Sequence, residues 1–142
     1  MALQIRRVQV WSGEITDRPG AAAAKLVYLN QAGADLEFIF TRPNGNKPGT
    51  SILFLAPITG PEQMQAARNS GLGPSVDVVM LCVEGENRAG IGYEIMSNLA
   101  VAGINLRGIA ISSVGPRFAA HLAFDDADAA AMAVQVIAAI EA

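Results

Sequence analysis

The chain has 142 residues, of which 51% are hydrophobic and 16% charged, and its net charge at pH 7 is −3. This composition supplies a core and excludes a disordered tail. The acidic balance excludes a nucleic-acid surface, which needs a basic stripe along one face. No apolar run reaches the roughly 18 residues that a membrane helix requires.

In chain order, alternating Leu3, Ile5, Val8 and Val10 predict one strand across 3–15. Asp17-Arg18-Pro19-Gly20 then reads as a helix start, with Asp17 as cap and Pro19 in the first turn, where its missing N–H costs nothing. A helix over 21–31 follows, with Leu26 and Leu29 facing inward and Gly33 ending it. Strands are expected at 36–41 and 50–56, joined by a long hairpin around Asn44-Gly45. A short helix over 61–69 is stopped by Gly71, Gly73 and Pro74. A nearly continuous apolar strand at 76–83 leads to a helix over 90–102, whose inward face carries Ile91, Ile95, Leu99 and Ala102. Strands at 104–112 and 117–124 follow, and Asp125 or Asp126 caps a last helix with Met132, Val136 and Ile140 as its buried stripe.

The order β-α-β-β-α therefore occurs twice, and the residues repeat with it. A shift of 70 residues superposes Asp17 on Asn87, Gly20 on Gly90, Leu29 on Leu99, Gly33 on Gly103 and Leu36 on Leu106. Such self-similarity divides the chain into two units, placed at 1–72 and 73–142. The expected class is α+β and ferredoxin-like: two β-α-β-β-α(-β) units, each an antiparallel sheet with its helices on one face. Neither unit has room for a full final strand after its second helix. Unpaired sheet edges invite pairing, so the segments Leu3 to Trp11 and Leu72 to Val83 are expected to cover the missing edges, within the chain or in a homodimer.

The repeated turn has a chemistry of its own. A helix N-terminus presents unpaired N–H groups and partial positive charge, which favour a carboxylate. Gly20 and Gly90 leave the backbone open to a ligand. Asn87 offers both a donor and acceptors, as an α-amino acid requires. No Ser-His-Asp or Cys-His set, metal-ligand spacing or phosphate-binding loop is legible, so no catalytic residue, metal or cofactor is assigned. Cys82 is expected to be a small buried hydrophobe. A single cysteine and a start without the charged-then-apolar order of a signal peptide point to the cytoplasm.

Glu86-Asn87-Arg88-Ala89-Gly90 followed by Ala102-Gly103-Ile104-Asn105-Leu106 resembles the ACT domain, a small-molecule-sensing module of amino-acid metabolism. Thr16 to Gly20 with Ala32-Gly33-Ala34-Asp35-Leu36 is similar. The resemblance covers nearly the whole chain. It implies a non-catalytic regulatory protein that binds an amino acid or similar small effector where two units pair through their second strands. The residues so implicated are Asp17, Arg18, Pro19, Gly20, Asp35, Asn87, Arg88, Ala89, Gly90, Ile91 and Asn105, and the seam with Asn87 and Asn105 is favoured. A homo-oligomer and a partner enzyme or regulator are implied; no membrane or nucleic acid is. The histidine that many amino-acid-binding members carry two positions before the turn Asn is replaced by Ile15 and Gly85. Two alternatives stand beside this reading. One is an assembly module without a ligand, and the other is a ferredoxin-like enzyme using His121 and an acid in a polar pocket inside one unit.

Overall fold

Gln9 and Val10 interrupt the long N-terminal strand that alternation suggests, separating β1 (Gln4–Val8) from β2 (Trp11–Thr16). The computed structural model, which describes residues 3–140, places these two strands in different sheets. After β2 come α1 (Ala21–Gln31), β3 (Phe38–Pro43), β4 (Thr50–Ala56), α2 (Gly60–Asn69) and β5 (Gly73–Pro74). Their sheet has the order β3-β4-β2-β5, with every pairing antiparallel. The remaining elements are β6 (Val79–Glu86), α3 (Ile91–Val101), β7 (Gly108–Val114), β8 (Arg117–Phe124) and α4 (Ala127–Ala138). They form the second sheet, in which β1 takes the outer place, in the order β1-β6-β8-β7.

These are two four-stranded antiparallel sheets with four helices, the β-α-β-β-α-β plan twice over. The boundary, however, does not fall at residue 72. One unit is Gln9–Ser75; the other takes the described residues on both sides of it, up to Val8 and from Val76 on. Hereafter these are the inserted unit and the split unit. The missing edges explain the difference. Among the described residues no strand of the split unit follows α4, and β1 fills that edge in the register Gln4↔Glu84 to Val8↔Met80. In the inserted unit the stop signal Gly73-Pro74 doubles as a two-residue strand beside Trp11 and Ser12. Both expected segments thus cover edges within the chain, through two separate ladders.

Each core lies between one sheet face and its helices. In the inserted unit Trp11, Ile15, Leu53 and Leu55 from alternate strand positions meet Ala21, Leu29, Ala67 and Leu72. In the split unit Leu81, Val83, Phe118, Ala120, Leu122 and Phe124 meet Ile91, Ile95 and Leu99 of α3, and Ala130, Ala133 and Ile137 of α4. The last helix is thus turned away from its expected stripe. Alanines let it approach closely, so Ala130 and Ala133 face inward while Met132 is 53% exposed; Val136 packs at the rim and Ile140 is buried. Ala102 is exposed rather than inward. Val76 is 88% exposed, because β6 begins only at Val79.

Gly13 permits the closure of the inserted unit. A Cβ there would lie 2.7 Å from Leu72 Cδ2 and 2.8 Å from the carbonyl oxygen of Gly71, a backbone atom that cannot swing aside. Gly13→Ala is therefore expected to push β5 and the end of α2 outward, destabilising by about 1–3 kcal/mol in urea unfolding. Ile5→Asp, which sets a charge against the split unit's core, is expected to cost about 1–3 kcal/mol. Its hydrogen-exchange protection should fall in β6 and β8 and stay unchanged in β4.

Candidate ligand-binding site

The backbone of the repeated turn is built the same way in both units. Asp17 N–H donates to the Gly49 carbonyl at 2.9 Å and Asn87 N–H to the Pro116 carbonyl at 2.8 Å, tying each turn to its own unit's hairpin tip. Ala24 N–H donates to Gly20 O at 3.0 Å and Glu94 N–H to Gly90 O at 2.9 Å. At the far helix ends, Ala34 N–H donates to Leu29 O and Ile104 N–H to Leu99 O. The helix-start and helix-end hydrogen bonds thus repeat at the 70-residue shift as the letters do, while the hairpin-tip acceptors lie 67 residues apart.

The caps differ from expectation. Gly20 (φ 83°) and Gly90 (φ 85°) occupy the N-cap positions of α1 and α3 in the left-handed region, and neither helix has a side-chain cap. Asp17 and Asn87 stand too far ahead of the first turn to cap it, because the glycine inserts a reversal between them and the helix. Both side chains are exposed. A Cβ on Gly20 or Gly90 would meet nothing within 4 Å, so conformation rather than crowding demands glycine here. By contrast, Asp126 does cap α4, accepting from Ala129 N–H at 2.7 Å.

Within each unit the predicted residues divide into two places. Asp17, Arg18, Pro19 and Gly20 are exposed before α1, whereas exposed Asp35 follows its C-terminus. Asn87, Ala89 and Gly90 are exposed before α3, with Arg88 half-buried, whereas exposed Asn105 follows that helix. Eleven helical residues span roughly 16 Å, so a single unit does not by itself gather the predicted set. Ile91 turns its side chain into the core at 4% exposure and offers a ligand no side-chain contact.

The two arginines have different surroundings. Arg88 pairs with Glu94 one turn into α3. At the matching place in the inserted unit stands Ala24, and Glu14 pairs instead with Lys47 at 3.1 Å. Arg18 has no acid within ion-pair reach among the described residues; its guanidinium donates only to the Pro19 carbonyl, at 3.4 Å.

Beside Arg18 the inserted unit has an open cleft of about 540 Å³, lined by Glu14, Ile15, Thr16, Arg18, Ala21, Ala24, Lys25, Tyr28, Asn69, Ser70 and Gly71. Lys25 Nζ donates to the Ser70 carbonyl at 2.6 Å, putting a cation on the carbonyl end of α2. Of the residues named from sequence only Arg18 lines this cleft. Tyr28 is 52% exposed. The signal that could have found it is the charge difference between the copies, Lys25 against Ile95 and Ala24 against Glu94. His121 lies on β8 of the other unit and does not line the cleft, so this pocket is not the one the enzyme alternative requires. Among the described residues no group of three His, Cys, Asp or Glu side chains could hold a metal. No described helix is long and apolar enough to cross a membrane.

Solved structures match over almost the full length. The chain resembles the ligand-free regulatory subunit of aspartate kinase from Thermus thermophilus at 16% identity and a TM-score of 0.65, covering 96% of this chain and 95% of that one. The chain has the fold of a tandem ACT-domain protein. The aspartate kinase regulatory subunit from Thermus flavus matches at 17% identity and a TM-score of 0.62, with 96% and 95% coverage. Protein BT0572 from Bacteroides thetaiotaomicron superposes with a TM-score of 0.74 at 10% identity, covering 94% of this chain and 87% of that one. No protein-family model matches the sequence, and no curated protein does. The tandem ACT fold is thus shared with regulatory subunits at identities where only backbone architecture is retained.

The capping geometry gives a direct test in urea unfolding. Asn87→Ala is expected to change stability by no more than about 0.5 kcal/mol, since the exposed side chain caps nothing. Asp126→Ala should cost about 1 kcal/mol through the lost cap of α4.

Proposed function

We propose that this is a non-catalytic regulatory protein that binds an amino acid or a similar small effector through its repeated turns. The turns Asp17 to Gly20 and Asn87 to Gly90 and the strand-entry residues Asp35 and Asn105 are the elements assigned to that role, and the turn of Asn87 is the principal one. The reading rests on one observation above all. Both helix starts carry no side-chain cap, and Asp17 and Asn87 are left exposed ahead of them. Helix N–H groups favour a carboxylate, and the Asn87 amide can serve an ammonium as well as a carboxylate. Asp17 and Asp35 suit an ammonium and repel a carboxylate, so the two copies are not equivalent sites. Similarity of fold to regulatory subunits of aspartate kinase agrees with this reading.

The mechanism proposed is a population shift in the cytoplasm. Effector stabilises one arrangement of the protein over a looser one and so changes affinity for a partner enzyme, regulator or second copy. The shift can be no larger than the effector's differential affinity for the two states.

A second reading, an assembly module without effector, is favoured by the outermost strands β3 and β7. In β7 every residue is exposed, including Ile109, Ile111 and Val114, and in β3 Ile39 and Phe40 are exposed. Apolar edge strands of this kind pair readily with further strands.

A thermal-shift screen of the twenty amino acids against the full chain and Asn87→Ala separates the two. A ligand at 100 times its dissociation constant adds about 2.7 kcal/mol to the folded state, a rise of many degrees for units of this size. The expected result is one amino acid that stabilises the parent chain and not Asn87→Ala. No response to any of the twenty, together with concentration-dependent association, would favour the assembly module.

A further inference from the structure

We propose that the cleft of the inserted unit is a second small-molecule site, separate from the turn of Asn87, and that it takes a small dicarboxylate. Three observations carry this inference. First, the cavity of about 540 Å³ has the dimensions of a small-molecule site and is formed wholly by the inserted unit. Second, two cations reach it. Arg18 has no acid partner among the described residues, so its guanidinium is available for the two-pronged hydrogen bonding that suits a carboxylate. Lys25 spends one N–H on the Ser70 carbonyl and keeps two donors. Glu14, the one acid in the lining, is paired with Lys47, so its charge is already answered. Thr16, Tyr28 and Asn69 add neutral hydrogen-bonding groups.

The third observation is the other copy of the fold. The split unit repeats the turn and its backbone bonds, yet there Glu94 neutralises Arg88 and Ile95, wholly buried, stands where Lys25 does. A cationic cleft is therefore not a requirement of the fold. Two cations reached from the turn and from the second turn of α1 fit a ligand with two separated negative groups better than a lone carboxylate.

The split unit also supplies the variant for the test. Ala24→Glu copies the Glu94 arrangement into the inserted unit, at an exposed helical position that tolerates glutamate. The full-length parent chain, Ala24→Glu, Lys25→Met and Asn87→Ala would be titrated with succinate and with glutarate, read by amide chemical shifts. Acetate and inorganic phosphate serve as comparators.

The expected result is saturable shifts confined to Thr16, Arg18, Lys25, Tyr28 and Asn69 to Gly71, with a dicarboxylate bound more tightly than acetate or phosphate. Ala24→Glu and Lys25→Met should each weaken binding by about 10-fold or more, as the loss of a charge-assisted contact would. Ala24→Glu should keep the parent melting temperature, and Asn87→Ala should bind as the parent does. The proposal is overturned by an absence of saturation at high millimolar dicarboxylate. Equal binding of all four anions, which marks a cationic surface only, or full affinity in Ala24→Glu would overturn it too. Dicarboxylate binding lost in Asn87→Ala at unchanged stability would merge the two sites and so also refute it. The amino-acid screen is read independently, so either reading can fail alone.

Discussion

Pairing of β1 with β6 governs the architecture. A β-α-β-β-α segment leaves one sheet edge open, and an open edge is both unstable and adhesive. In the split unit no described strand follows α4 to close this edge. The strand of Gln4–Val8 closes it from the other end of the sequence, through an unbroken five-residue register. The whole of Gln9–Ser75 must then fold as an insertion with its two ends close together. They are: Ser75 N–H donates to Val10 O at 2.8 Å, and the Ser12 and Ser75 hydroxyls lie 2.7 Å apart.

Within that frame the two units share backbone and differ in charge. The hydrogen bonds of the helix starts and helix ends and the left-handed glycines Gly20/Gly90 and Gly33/Gly103 coincide at the 70-residue shift. The side chains laid on this scaffold diverge where a ligand would touch them: Asp17 against Asn87, Asp35 against Asn105, Ala24 against Glu94, Lys25 against Ile95. Duplication of a stable module frees one copy to change its surface while the other keeps its own, because the hydrogen-bonded frame does not depend on those side chains.

Much of the fold was legible because it is local. The helix over 21–31 and the strands over 50–56 and 117–124 fall where periodicity and turn chemistry put them. The break at Gln9 and Val10 was hidden because alternation runs through it; only the competition of two sheets for one strand separates β1 from β2. The phase of α4 was misread because the largest apolar residues were taken as the core, whereas close packing selected Ala130 and Ala133. At the candidate site the turns were readable from Gly20 and Gly90, but the capping role given to Asp17 was not realised, since a left-handed glycine stands between it and its helix. The cleft was invisible for a different reason. Lys25 sits among alanines and leucine, and its partner Ser70 is remote in sequence.

The strand that closes the split unit also sets an order of events during synthesis. Residue 4 must wait for residue 84 before it can pair, and at typical elongation rates this interval lasts several seconds. The inserted unit holds all its own strands and can complete its fold within that time, because its longest-range contacts lie within Gln9–Ser75. The N-terminal strand meanwhile remains an unsatisfied edge awaiting a late partner. Nascent chains crowded on one messenger would then be at risk of exchanging it, giving a domain-swapped pair through the same ladder that closes the single chain.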